Sequence, residues 1–131
     1  DMGCGTGILA ILAAQKDAAE IITIDYDPIC CESTTENAAL NHVTDLKVLC
    51  GSKEVIPEAT FDIILANINR NILLDQLATY ASRLTTGGLL FLSGFYEEPD
   101  LEIIKSAAEK YQLKFLQHKK SDNWSAAKFI C

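Results

Sequence analysis

Asp1-Met2-Gly3-Cys4-Gly5-Thr6-Gly7 runs without a break into Ile8-Leu9-Ala10-Ile11-Leu12-Ala13-Ala14. Alternating glycines let a backbone turn sharply and approach a ligand closely. The apolar helix that follows presents free N–H groups at its start. A turn of this kind belongs after a strand of a parallel sheet. No residue precedes Asp1 in the sequence, so the chain is expected to be truncated at its N-terminus, with its first strand missing.

Working outward from that turn, short apolar runs alternate with helical stretches. The spacing predicts a strand over 21–25 ending in Asp25, a helix from Pro28 to about residue 41, and a strand over 46–50 closed by Gly51-Ser52. A strand over 60–67 ends in Asn67. A helix over 71–84 follows, then a strand over 89–93 entered through Gly87-Gly88, and a helix over 97–111. The segments 114–119 and 125–131 pair as a hairpin around Ser121-Asp122-Asn123. Near-continuous apolar strands alternating with helices imply a mostly parallel sheet covered on both faces, an α/β sandwich closed by an antiparallel C-terminal hairpin. The whole of 1–131 reads as one domain.

Composition narrows the function. Hydrophobic residues make up 49% and charged residues 22%, which is globular rather than disordered. No apolar run approaches a membrane span, and no signal or transit peptide is visible. Eleven basic against eighteen acidic residues give a net charge of −7, which disfavours a broad nucleic-acid groove and suits small molecules or basic partners. Lys119-Lys120 is too short to be a nucleic-acid patch. Cys4, Cys30, Cys31, Cys50 and Cys131 form no C-x-x-C pair and lack paired histidines. They read as reduced thiols of a cytosolic protein, with no metal site and no disulfide frame. Cys4 has no base near it in sequence and is not assigned as a nucleophile.

The chemistry concentrates at three places. In the glycine turn, a dinucleotide fingerprint requires its third glycine at position 8, which is Ile8, so NAD and FAD are disfavoured. The leading Asp1 argues for a ligand carrying positive charge, an ammonium or a sulfonium, above Gly3, Gly5 and Gly7. Second, Asp25 sits at a strand tip, where an acid accepts hydrogen bonds from both ribose hydroxyls. Asp27 reads as the cap of the helix that starts at Pro28. Third, Asn67 ends a buried run, and its amide offers both a donor and an acceptor to an incoming amine. A turn-forming asparagine before a helix is the other reading of that residue. Ser52 is either a residue on the adenine side of a cofactor pocket or a plain turn residue. Trp124 reads as a packed aromatic rather than a base platform, His42 and His118 as surface or helix-end residues. Arg70 and Arg83 fit either an acidic substrate or a solvated helix.

Taken together, Asp1-x-Gly3-x-Gly5-x-Gly7 and Asp25 resemble motif I and the acidic strand end of class I S-adenosylmethionine-dependent methyltransferases. Asp25-Tyr26-Asp27-Pro28, Glu36-Asn37-Ala38-Ala39-Leu40-Asn41, Ala66-Asn67-Ile68 and Leu92-Ser93-Gly94, in that order, resemble the catalytic domain of the PrmA family. That resemblance implies a Rossmann-like fold, S-adenosylmethionine as cofactor, and methylation of amino groups on a basic protein of the large ribosomal subunit. It implies no direct nucleic-acid partner, no membrane, and a cytoplasmic location. It places Gly3 against the cofactor, Asp25 on the ribose, and Asn67 beside the methyl donor and target amine. Asp1, Gly5, Gly7 and Ser52 complete the expected cofactor set.

Departures from the family pattern are also visible. Ser52 stands where an Asp near the adenine is common, and Asn69-Arg70 replaces a Leu-Ala-like pair. The family's N-terminal substrate-recognition domain, its linker and a cofactor-binding Thr fall outside the sequence. Three rival readings are set against this one. They are a nucleic-acid or small-molecule methyltransferase, a non-catalytic cofactor-binding module, and a nucleotide oxidoreductase. The first is weakened because Asn67-Ile68-Asn69-Arg70 lacks the Pro-Pro-aromatic that stacks a flipped base.

Overall fold

The computed structural model describes residues 1–131, which divide into two compact units, Asp1–Pro57 and Glu58–Cys131. The first unit holds α1 (Ile8–Gln15), β1 (Ile21–Asp25), α2 (Pro28–Leu40), β2 (Leu46–Cys50) and a 3-10 turn over Lys53–Val55. β1 and β2 are parallel and in register from Ile21–Leu46 to Asp25–Cys50. Asp1 and Met2 run strand-like along the other edge of β1: the Ile24 amide donates to Asp1 O (2.9 Å), and Met2 bridges Ile24 in the parallel sense. The glycine turn thus does leave a strand edge. Asp27 caps α2, its carboxylate accepting from the Ile29 amide at 2.9 Å, with Pro28 at the first helical position as expected. Thr23 and Thr34 are fully buried here with Ile24, Ala10 and Ala38 close to it.

The structure corrects one reading of the cysteines. Cys31 and Cys50 are joined in a disulfide, their Cα atoms 6.2 Å apart. Nothing in a 19-residue separation signals this pairing. It follows from the register, which ends with Asp25 opposite Cys50, and from the first turn of α2, which brings Cys31 back to that strand tip. Cys4, Cys30 and Cys131 are free.

The second unit holds β3 (Phe61–Asn67), α3 (Arg70–Arg83), β4 (Leu84–Tyr96), α4 (Asp100–Glu109), β5 (Lys114–Ser121) and β6 (Trp124–Ile130). Its sheet order is β3-β4-β6-β5: β3 and β4 are parallel with α3 as the crossover, and β6 inserts antiparallel between β4 and β5. Tyr80, Leu73 and Leu77 of α3 pack with Leu90, Leu92, Phe95, Ile104 and Phe129 in a dry core. The hairpin is longer than expected by its turn-proximal residues.

Two element starts differ most from the sequence pattern, each for a physical reason. β4 begins at Leu84, not after Gly87-Gly88, because Gly87 N–H donates to Cys131 O (2.8 Å) and Cys131 N–H to Gly88 O (3.0 Å). Sheet pairing overrides the glycine turn signal. α4 begins at Asp100 because Pro99 is tolerated only at a helix start, so residues 97–99 stay outside. No helix is long and apolar enough to cross a membrane.

Candidate functional site

In the first unit, the glycine turn is built from left-handed backbone. Gly3, Gly5 and Gly7 have φ of 67°, 56° and 79°, a conformation that costs any side-chain-bearing residue. Gly3 N–H donates to Ile24 O (2.8 Å) and Gly7 N–H to Cys4 O (2.7 Å), which fixes the turn onto β1. Gly5 N–H donates to Asp25 Oδ2 (2.9 Å), and Asp27 N–H to Asp25 Oδ1 (3.0 Å). Asp25 is 7% exposed, and its carboxylate takes one main-chain donor on each oxygen. A carboxylate oxygen has two lone pairs, so each retains one for a further donor. Two of the expected cofactor residues, Gly5 and Asp25, are therefore in direct contact.

Helix α2 holds the turn from behind. Thr34 Oγ1 donates to Gly5 O (3.1 Å) and lies 3.3 Å from Cys4 Sγ, while Asn37 Nδ2 donates to Thr6 O (2.9 Å). Sequence reasoning missed both supports, although Asn37 lies in the Glu36–Asn41 stretch. A Cβ on Gly7 would meet Thr34 Cγ2 at 2.7 Å, whereas a Cβ on Gly5 would meet nothing within 4 Å. Gly7 is thus required by packing, and Gly5 faces an open cradle. The electrostatics around it are negative. Both Asp1 carboxylate oxygens are buried without a hydrogen-bond partner. Burial, and then the Asp25 and Asp27 carboxylates, push the Cys30 thiol upward. Ser52 stands at the entrance of the 3-10 turn, its N–H donating to Glu54 Oε1 at 2.7 Å.

In the second unit, Asn67 is the last residue of β3, paired with Ser93 of β4, and its side chain is exposed. Capping of α3 falls to Asn69, whose Oδ1 accepts from Ile72 N–H at 3.2 Å. Asn67 is therefore not the helix-capping asparagine. It lines a cavity of about 760 Å³ with Ile68, Ser93, Trp124 and Ala126. Trp124 is half exposed and packs by stacking on Tyr96 at 4.9 Å. Near the same rim, His118 and Lys120 both meet Glu97, at 3.0 and 2.6 Å. Arg70 is tied to the buried Asp100 at 2.7 Å, and Asp100 also accepts from Tyr96 N–H at 3.1 Å. That pair makes Arg70 a brace of α3 against the start of α4 rather than a free cation.

Solved structures share this arrangement of strands and helices. A methyltransferase from Pyrococcus furiosus matches 98% of the chain with a TM-score of 0.86 at 19% identity, over 72% of its own length. A ribosomal protein L11 methylase from Lactobacillus delbrueckii subsp. bulgaricus matches 97% with a TM-score of 0.91 at 28% identity, over 66% of its own length. The chain has the α/β methyltransferase fold, with both parallel and antiparallel strand pairs. The sequence profile of one family, PrmA (ribosomal protein L11 methyltransferase), matches residues 1–130, and the chain belongs to that family. A ribosomal protein L11 methyltransferase of Porphyromonas gingivalis is 48% identical over 98% of the chain. The chain spans 44% of that relative's length and 46% of a second one, from Bacteroides thetaiotaomicron.

Proposed function

We propose that this chain is the methyl-transferring portion of a cytoplasmic S-adenosylmethionine-dependent protein methyltransferase acting on amino groups of ribosomal protein L11. The carrying observation is the Gly5–Asp25 contact, an acid at a strand tip locked to an open glycine cradle. The residues fit the cofactor by charge and by shape. The free lone pairs of Asp25 suit vicinal ribose hydroxyls, the unpartnered Asp1 carboxylate suits an ammonium, and Gly5 leaves room for close approach. Ser52, at the tip following β2, is assigned to the adenine side.

When bound, S-adenosylmethionine supplies a methyl group activated on a sulfonium. The protein's work is then to position reactants and exclude water. An acceptor lysine has an unperturbed pKa of about 10.4 and must release its proton before its nitrogen can bond to carbon. Apolar walls such as Ile68, Trp124 and Ala126 favour the neutral amine. The Asn67 carbonyl would accept from that amine and orient its nitrogen lone pair for attack.

Calorimetric titration of S-adenosylmethionine, with NADH as control, tests the cofactor class in the full-length protein. Binding of S-adenosylmethionine alone, lost in Asp25→Ala, is the expected result. No binding to well-folded wild-type protein would end the reading. For the second unit, Asn67→Ala is expected to slow single-turnover methylation of ribosomal protein L11 while leaving cofactor affinity intact. An unchanged rate would remove Asn67 from the mechanism.

A further inference from the structure

We infer that Gly94 is a positioning residue for Asn67, a role that rests on the reading of Asn67 given above. Gly94 interrupts β4 at the point where its ladder with β6 shifts: Ser93 pairs with Ala126 and Phe95 with Ser125, leaving Gly94 unpaired. Its φ is +87°, the left-handed backbone of a glycine bulge. Bulges of this kind re-aim side chains beside active sites. Here the neighbour is the tip of β3.

A Cβ on Gly94 would lie 2.9 Å from Asn67 Oδ1, 2.9 Å from Ile68 O and 3.1 Å from Ile68 N. Two of these atoms are main chain. They cannot swing aside as a flexible side chain would. The Ile68 amide is moreover fixed by its bond to Ser93 O at 3.1 Å, so the strain falls on the Asn67 carboxamide and on the peptide that carries it. Asn67 makes no cap or salt bridge that would pull it back. The missing Cβ of Gly94 is therefore what sets the position of the Asn67 carbonyl at the cavity wall that both residues line.

The prediction is a loss in the chemical step with cofactor binding retained. Shifts below an ångström at a reacting centre reach roughly ten- to a hundredfold in rate. Gly94→Ala is expected to fall in that range in single turnover on ribosomal protein L11, with S-adenosylmethionine affinity held within about twofold. A double-mutant cycle with Asn67→Ala separates positioning from damage elsewhere. In the Asn67→Ala background the Gly94→Ala loss should vanish. The Asn67 side-chain amide resonances should also move in Gly94→Ala protein without any ligand.

A rate loss that persists in the Asn67→Ala background, or amide resonances that stay put, would overturn the inference. If Asn67→Ala turns over at the wild-type rate, the catalytic reading of Asn67 fails first and this inference fails with it. If Asn67→Ala is slow but Gly94→Ala is not, only the inference fails. Gly94→Asn, whose side chain tolerates positive φ better, adds the same Cβ and guards against a folding failure. Loss of folding in both variants would assign Gly94 to the bulge alone and overturn it.

Discussion

In the first unit the candidate cofactor site is made largely of main chain: three left-handed glycines, and one carboxylate held by the Gly5 and Asp27 amides. In the second, the candidate acceptor site is made of side chains on a strand tip and a hairpin, Asn67 and Trp124. Main-chain sites cannot be altered without moving the fold, whereas side-chain sites can be stripped with the fold intact. Stability and function should therefore be coupled in the first unit and separable in the second. The glycines give the hardest test. Gly7→Ala combines a positive φ with a Cβ 2.7 Å from Thr34 Cγ2, a loss of about 3 kcal/mol from strain and overpacking together. Gly5→Ala adds a Cβ to open space and should lose only about 1 kcal/mol, while blocking the cradle and so the cofactor. Urea unfolding and calorimetry on both variants check this. Equal stability losses would break the distinction between packing glycine and binding glycine.

The two polar residues that end β1 and β3 sharpen the same contrast. Asp25→Asn keeps the shape but sets an NH₂ against a main-chain donor at Gly5 or Asp27. An unsatisfied buried donor of this kind costs about 2 kcal/mol, and cofactor affinity should fall by about a hundredfold, roughly 2.7 kcal/mol. Asn67→Ala strips an exposed side chain and should stay within about 0.5 kcal/mol of wild-type stability. Thermal melts of the two proteins, with and without S-adenosylmethionine, separate them. Asn67→Ala should gain the full ligand-induced rise in Tm, and Asp25→Asn little of it.

The same difference explains how much of the molecule is legible in its sequence. A main-chain site leaves its mark as glycine spacing, so the turn, the strand end at Asp25 and the Asp27-Pro28 cap were all legible, and β1 and β2 fall on their expected bounds. Contacts between distant side chains leave no such mark. The Arg70–Asp100 brace spans thirty residues, the Thr34 support of Gly5 twenty-nine, and neither position breaks its local helical pattern. Asn67 was legible only as one of two alternatives, because a turn-forming asparagine and a ligand-facing amide have the same local sequence. The structure keeps Asn67 within β3 and gives the cap of α3 to Asn69.

A third test asks whether the second unit's core is as independent of its site as this contrast requires. Tyr80 is fully buried and its hydroxyl donates to Gln76 Oε1 on the preceding turn of α3. Tyr80→Phe takes that donor from a buried acceptor and should cost about 1–3 kcal/mol without changing turnover. Burial, with a smaller contribution from Asp75, raises the Tyr80 hydroxyl above its ordinary value. The folded form thus holds the proton more tightly than the unfolded chain. Its stabilisation is complete below the unfolded value of about 10 and is lost as pH rises toward the folded one. Wild-type stability should fall more steeply than that of Tyr80→Phe above that pH. Parallel curves would remove the tyrosine from the alkaline transition.

The smallest effect belongs to the exposed cluster at the cavity rim. Hydrogen bonds from Lys120 and then His118 hold the Glu97 carboxyl below its usual range, and Glu97 in turn raises Lys120. For the depressed acid, the stabilisation is present above its unfolded value and lost as pH falls through the folded one. For the raised lysine, it is present below the unfolded value and lost as pH rises through the folded one. Both partners are solvated, so screening leaves little at ordinary ionic strength. Glu97→Gln should accordingly shift the unfolding midpoint less than Tyr80→Phe in low salt, and not measurably in high salt. A functional change tells more than a stability change here. Neutralising Glu97 frees Lys120 beside the cavity that Asn67 lines, where a free ammonium would repel a cationic acceptor. A higher KM for ribosomal protein L11 with unchanged kcat, relieved by salt, would show that the rim tunes acceptor binding while the chemistry stays with the strand tip.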